Sequence, residues 1–286
     1  MKNSMYPNEI EKSNRILYTP APFAKSNLIY LQETGELKAG KNYISKRKNL
    51  RSFLFFIVIN GKGKVKYKNQ DYIVKPGHCV FLNCLNEYSY ESLDDSWELK
   101  WVHFYSDNMV GIYEEFIQRG GKISFYTEAF IEYSKLIDDI YTIAVSDINI
   151  REMKLYEKFV SLLSLIMDEC NKSESVESNK SITKDMAPVK KYIDDHYSEN
   201  ISLDILAGIF FINKFYLTRL FKKQYGVSII NYLIQVRITR AKQLLRFTDM
   251  SIENISSEIG FNDNNYFSRT FKNVEGISPR EFRSRW

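Results

Sequence analysis

The chain is 286 residues long, with 44% hydrophobic and 26% charged residues, which excludes a disordered or fibrous protein and leaves room for two domains with separate cores. Three cysteines without a CxxC pair (Cys79, Cys84 and Cys170) exclude a zinc ribbon or a disulfide framework; a polar N-terminus and no apolar run of roughly 18 residues exclude secretion and a membrane span, so a cytoplasmic protein is expected. The formal charge of +5 sits at one end: residues 185–286 hold 15 Lys/Arg against 11 Asp/Glu, and between Asp204 and Asp249 there is no acid but there are Lys214, Arg219, Lys222, Lys223, Arg237, Arg240, Lys242 and Arg246.

From Phe53 to Phe104, short aromatic and β-branched runs (FLFFIVI, GKGKVKYKNQDYIV, KPGHCVFL, WELKWVHF) alternate with Gly, Pro and Asn breaks, predicting an antiparallel barrel or sandwich. Alternation along the last run puts Trp97, Leu99, Trp101 and His103 on one face and Glu98 and Lys100 on the other. From Glu128 to Cys170 the period becomes helical. Phe130, Tyr133, Ile137, Ile140 and Tyr141 mark one amphipathic helix, and Leu155, Phe159, Leu162, Leu163 and Ile166 a second. Residues 171–184, NKSESVESNKSITK, are polar and Ser-rich and read as a linker. The remainder reads as helical, with start and stop residues at Ser202, Asn213, Gly226, Ser251, Asp263 and Gly276.

Displacing this last part by 50 residues superimposes Ile205 on Ile255, Ile209 on Ile259, Phe211 on Phe261, Tyr216 on Tyr266, Arg219 on Arg269, Phe221 on Phe271, Lys222 on Lys272, Gly226 on Gly276 and Ser228 on Ser278. Two copies are too few for a solenoid. Each reads instead as a short helix, a tight break and a second helix opened by a cap, Asn213 in one copy and Asp263 in the other. In the second helices Leu217, Leu220 and Phe221, like Phe267 and Phe271, are spaced to pack inward. Lys214, Phe215, Thr218, Arg219 and Lys222 in one copy, and Asn264, Asn265, Ser268, Arg269 and Lys272 in the other, are left outside. Arg suits guanine O6/N7, Asn suits adenine N6/N7, and Lys suits phosphate, so these ten are the candidate DNA-binding residues.

The stretch LDILAGIFFINKFYLTRLFKKQYGVS, then RITRAKQLL, then IENISSEIGFNDNNYFSRTFKNVEGISPREFR, resembles the DNA-binding domain of the AraC/XylS family of bacterial transcription regulators. The second copy carries the more specific pattern, with Gly260, Phe261, Asp263, Tyr266, Phe267, Arg269, Phe271, Lys272, Gly276, Ser278, Pro279, Phe282 and Arg283. The first departs from it at Phe210-Phe211, where the family usually has Gly and a small turn. The resemblance implies a long helix, roughly Ile229 to Leu245, joining the two units, and recognition helices that enter successive major-groove faces of one promoter site. It implies RNA polymerase as a further partner and favours activation over repression.

Family members of this layout carry a cupin-like barrel first. The expected fold class is therefore α+β with two domains: a cupin-like antiparallel β-barrel over residues 1–127 with a helical dimerisation region at 128–170, the linker at 171–184, and an all-α tandem helix-turn-helix domain at 185–286. A cupin metal site needs about three His and a carboxylate, and only His78 and His103 fall in the barrel segment, so no metal, no cofactor and no enzymatic activity are expected. An inward Trp can stack on a sugar ring. Resemblance to the family's arabinose-responsive member places Tyr90 and Trp101 in an effector pocket with Lys46 or Arg47 at its mouth, and His103 shares the Trp101 face. The competing reading makes these aromatics core, with 20 Tyr and 19 Phe in the chain, and leaves the domain to bind a protein or a non-sugar effector. Leu155, Phe159, Leu162 and Ile166 form a stripe that, as in the family, would pair with its copy in a homodimer; the other possibility is packing on the barrel.

Overall fold

The computed structural model describes residues 10–177 and 185–285. The chain divides into two compact units, with the boundary between Asn179 and Lys180. The first unit runs β1 (Ile10–Leu17), α1 (Pro22–Asn27), β2 (Tyr30–Ala39), β3 (Ile44–Arg47), β4 (Phe53–Asn60), β5 (Gly63–Tyr67), β6 (Gln70–Val74), β7 (His78–Asn83), β8 (Tyr88–Ser92), β9 (Trp97–Tyr105), α2 (Met109–Gln118), β10 (Ser124–Tyr126), α3 (Phe130–Val145) and α4 (Arg151–Glu177). The second runs α5 (Ala187–His196), α6 (Leu203–Phe210), α7 (Lys214–Tyr225), α8 (Ile229–Phe247), α9 (Ile252–Glu258), α10 (Asn264–Glu275) and α11 (Pro279–Ser284).

Two antiparallel sheets face each other, one in the order β1-β2-β9-β4-β7-β10 and the other β3-β8-β5-β6. The run FLFFIVI is apolar on both faces because β4 is buried on both. Leu54, Phe56 and Val58 point between the sheets with Val65, Tyr67, Tyr88, Trp97, Leu99 and Trp101. Phe53, Phe55 and Ile57 point the other way, into a second core shared with α2, α3 and α4.

That second core corrects the dimer-stripe expectation. Leu155, Phe159, Leu162 and Ile166 are all buried within their own unit, with Phe159 stacked on Phe104 of β9 at 5.0 Å between ring centroids. The outer face of the large sheet is as apolar as its inner face and must be covered; α4 covers it, so the stripe is not available to a second copy. The linker expectation also changes: α4 continues through residues 171–177, and only 178–184 lie outside the described residues. A Ser/Glu/Lys/Asn segment without Gly or Pro can prolong an existing helix, because extension costs far less than nucleation.

In the second unit α8 is a shared spine. Its first half packs Ile229 and Leu233 into a core with Leu206, Leu217 and Phe221, and its second half packs Ile238, Ala241 and Leu245 against Ile255, Phe267 and Phe271. Arg237, midway, donates from Nε to the Tyr197 carbonyl (2.7 Å) and from Nη2 to the Glu199 carbonyl (2.8 Å), with its guanidinium 5.3 Å from the Phe261 ring. One side chain thus ties the loop before α6 to the turn after α9.

Candidate DNA interface and effector site

Helices α6 and α7 form one helix-turn-helix, α9 and α10 the other. Asn213 accepts from the Phe215 and Tyr216 amides (3.0 and 3.3 Å) and Asp263 from the Tyr266 amide (2.7 Å), so each cap fixes where its recognition helix starts. Gly226 and Gly276 end α7 and α10 in the left-handed conformation, at φ 74° and 78°. The 50-residue repeat needs one correction. Over the first helix and the turn the structural offset is 49: Ser202 caps α6 as Ser251 caps α9, the Ile212 amide bonds the Ala207 carbonyl as the Phe261 amide bonds that of Ser256, and Phe211 (φ 52°) stands where Gly260 (φ 84°) stands. The second turn is one residue longer, and the offset becomes 50 only from the caps onward. The matches of Ile205 to Ile255 and Ile209 to Ile259 are coincidental, since Ile255 and Ile259 are fully buried while Ile205 and Ile209 are 40% and 41% exposed.

The inward residues Leu217, Phe221, Phe267 and Phe271 are completely buried. Of the ten outward candidates, Phe215, Arg219, Lys222, Asn264, Asn265, Arg269 and Lys272 are exposed and Lys214, Thr218 and Ser268 half-exposed. Lys214 Nζ is held by Asp204 at 2.8 Å, and the Thr218 hydroxyl donates to the Lys214 carbonyl at 2.8 Å. Arg219 lies 5.3 Å over the Tyr216 ring, and Arg269 Nε donates to the Asn265 carbonyl at 3.3 Å. Each unit therefore presents one side of one helix that carries cations and no acidic residue of its own, with Phe215 on α7 and the amides of Asn264 and Asn265 on α10, while Asp204 of α6 reaches Lys214. Cations and amides suit the edges and phosphates of a major groove.

In the first unit a polar cluster closes one end of the space between the sheets. Trp101 donates from Nε1 to Glu33 Oε1 at 3.2 Å, Arg15 Nε lies 3.1 Å from the same oxygen, and the Arg15 guanidinium is 5.4 Å over the Trp101 ring. Gly35 makes this possible: a Cβ there would come within 2.9 Å of the Trp101 ring. His103 is buried with Nδ1 2.9 Å from Ser52 Oγ, and burial, then the charges of Arg47 and Arg15, push it down to about 3, so it is neutral near pH 7. Burial and the neighbouring Tyr90 hydroxyl push the Tyr43 phenol up, while the Arg15 charge acts against them. Arg15, Glu33, Tyr43, Arg47, Trp101 and His103 thus share one electrostatic neighbourhood.

Residues 206–285 match the family model described as a helix-turn-helix domain, and residues 38–145 match the AraC-like ligand binding domain. The chain belongs to the AraC/XylS family. It is a transcriptional regulator with a ligand-binding domain, and its homologues are regulators rather than enzymes. Among the relatives of this AraC-type regulator, the Msm operon regulatory protein of Streptococcus mutans is 26% identical, over 81% of this chain and 84% of that one. The arabinose operon regulatory protein of Escherichia coli is 25% identical, over 85% and 84%. The transcriptional activator RhaS of an Enterobacter strain is 32% identical, over 44% of each.

Of the five effector residues read from the sequence of this AraC-family chain, Trp101 and His103 fall in the polar cluster, while Arg47 is exposed at the end of β3 and acts on His103 only through its charge. Tyr90 is half-buried beside other aromatics, 6.3 Å from the Tyr43 ring and 6.1 Å from Trp97. Lys46 does not belong: Ser45 takes the inward position on β3, and Lys46 is exposed on the outer side, paired with Glu87 at 2.6 Å. Arg15 and Glu33 are not legible as site residues in the sequence, because β1 and β2 are polar strands with few β-branched residues, and Tyr43 lies in the turn between β2 and β3. IEKSNRIL shows no apolar alternation, and the place of Gly35 opposite Trp101 follows only from the pairing of β2 with β9. Among the described residues no helix is long and apolar enough to cross a membrane, and no group of three or more His, Cys, Asp or Glu could hold a metal.

Proposed function

We propose that this AraC-family regulator is a sequence-specific promoter binder in the cytoplasm whose two recognition helices, α7 and α10, read one site through Lys214, Phe215, Thr218, Arg219 and Lys222 and through Asn264, Asn265, Ser268, Arg269 and Lys272. The observation that carries the reading is the repeated geometry of cap, buried inner face and acid-free outer face. Arg219→Ala and Arg269→Ala are each expected to weaken binding to a duplex selected from a random-sequence pool by about 1–3 kcal/mol at fixed salt. Unchanged affinity for both sinks the assignment.

The effector is a sugar or glycoside held at the Arg15, Glu33 and Trp101 end of the barrel. A Trp face, a carboxylate acceptor and a guanidinium donor are the chemistry that orients a polyol ring, and one relative, an arabinose operon regulatory protein, supports the class. The guanidinium lies over the ring, so a ligand competes with Arg15 for that face. A panel of mono- and disaccharides should raise the unfolding temperature, and Glu33→Gln should remove the shift; a panel without effect on the parent protein rejects a sugar. The fully buried Trp97, Tyr67 and Tyr88 favour a second reading, a filled barrel that binds a protein or a non-sugar effector.

Activation through RNA polymerase is proposed with it, supported by the relative named as an activator. A homodimer, if built on α4, must use its outward residues Met153 and Val160, which are 48% and 43% exposed, rather than the buried stripe. Val160→Arg should then halve the sedimenting mass and leave an unfolding midpoint that no longer depends on protein concentration.

A further inference from the structure

The two helix-turn-helix units are internal controls for each other, and they differ most at one outward position. Aligned on their caps, Lys214, Thr218, Arg219 and Lys222 oppose Asn264, Ser268, Arg269 and Lys272, each pair polar on both sides. The remaining pair is Phe215 against Asn265. Phe215 is 75% exposed in the first turn of α7, two residues after the Asn213 cap, the part of a recognition helix that meets base edges. Its polar neighbours are engaged, Lys214 with Asp204 while its ammonium lies 5.8 Å from the Phe215 ring, and the Thr218 hydroxyl, one turn on, with its own helix. The start of α7 therefore offers a groove an aromatic surface, where the start of α10 offers the exposed amides of Asn264 and Asn265.

We infer that Phe215 makes the first unit a reader of thymine 5-methyl groups, so that one half of the site is recognised by apolar contact and the other by hydrogen bonds. In the major groove the methyl of T is the one apolar feature of the base edges, and a large exposed apolar side chain gains there by removing it from water. Asn265, at the same place in the second unit, suits adenine N6/N7 instead. The inference rests on the proposed DNA reading and adds what kind of base the first half demands.

Deoxyuridine tests it, because replacing T by dU deletes the methyl and keeps every donor and acceptor. The full-length protein first selects duplexes from a random-sequence pool. The base positions whose preference relaxes in Arg269→Ala define the second half, and those that relax in Arg219→Ala the first. Single T-to-dU replacements should weaken binding about fourfold per methyl at one or two positions of the first half. In Phe215→Asn these same replacements should become neutral, while Phe215→Leu keeps part of the penalty, and selection with Phe215→Asn should move the preferred base there from T towards A. An unchanged urea midpoint shows that the exposed substitution has not unfolded the unit. dU tolerated at every first-half position by the parent protein, or a full penalty retained in Phe215→Asn, overturns the inference and leaves the DNA reading standing. Failure to enrich any duplex overturns both.

Discussion

Phe211 shows at the residue scale how far a helix-turn-helix tolerates the wrong residue in its turn. It occupies the left-handed position (φ 52°) that Gly260 fills in the other copy, and its side chain is 90% exposed, so it receives almost no packing in return. A non-glycine residue in this region is strained by about 1–2 kcal/mol. Phe211→Gly should therefore raise the urea midpoint of the second unit's transition, by roughly 1 kcal/mol in stability. A lower midpoint would mean that the ring makes contacts the exposed position does not suggest. His103 has a different consequence. It is neutral in the folded protein, with its proton affinity pushed down to about 3, and takes up a proton on unfolding below its ordinary value of 6.5. Its contribution to stability is complete above pH 6.5 and is lost as the pH falls towards 3, at up to about 1.4 kcal/mol per pH unit. Urea unfolding between pH 7 and pH 4 should show that slope as the difference between the parent protein and His103→Gln.

At the scale of elements, α4 decides between two uses of one apolar stripe. Leu155, Phe159, Leu162 and Ile166 recur at the same spacing whether a helix packs on a sheet or on its own copy, and periodicity cannot separate the two. The outer face of β4 and β9, with Phe53, Phe55, Val102 and Phe104 needing cover, does. Phe159→Ala should cost about 3–5 kcal/mol in the first unit's transition, independent of protein concentration. A concentration-dependent midpoint that the substitution abolishes would restore the stripe to a subunit interface. In the second unit the caps were legible because they are local: Ser202, Asn213, Ser251 and Asp263 each bond an amide two or three residues on. The 49-residue register was not legible, since isoleucines one place out of register imitate a repeat and only burial tells them apart.

For the whole molecule, the division of labour is between a unit that offers a polar, aromatic-lined end and a unit that offers two cationic faces. Lys222 and Lys272 are exposed three residues beyond Arg219 and Arg269, towards the C-terminal end of each recognition helix, where a side chain meets phosphate. Lys222→Ala and Lys272→Ala should each make the slope of log K against log salt less negative by about 0.9, with all duplexes weakened alike. A loss confined to one selected sequence would instead place that lysine on a base. This uniform loss contrasts with the base-specific losses expected for Arg219 and Arg269, so the two classes of contact separate in one titration series.

The sequence by itself determined the class of each half and the boundaries of the recognition helices. Those features are written within ten or so residues, as an apolar period, a capping side chain, a glycine past a helix end, and the pattern from Gly260 to Arg283. What only the tertiary structure decided involves residues distant in the chain: Arg15, Glu33 and Trp101 meeting across β1, β2 and β9, Lys46 turned outward to pair with Glu87, and α4 laid on the barrel. Strand pairing and the choice of a partner for an apolar face are settled by which distant surfaces exclude water together, and no local pattern encodes that choice.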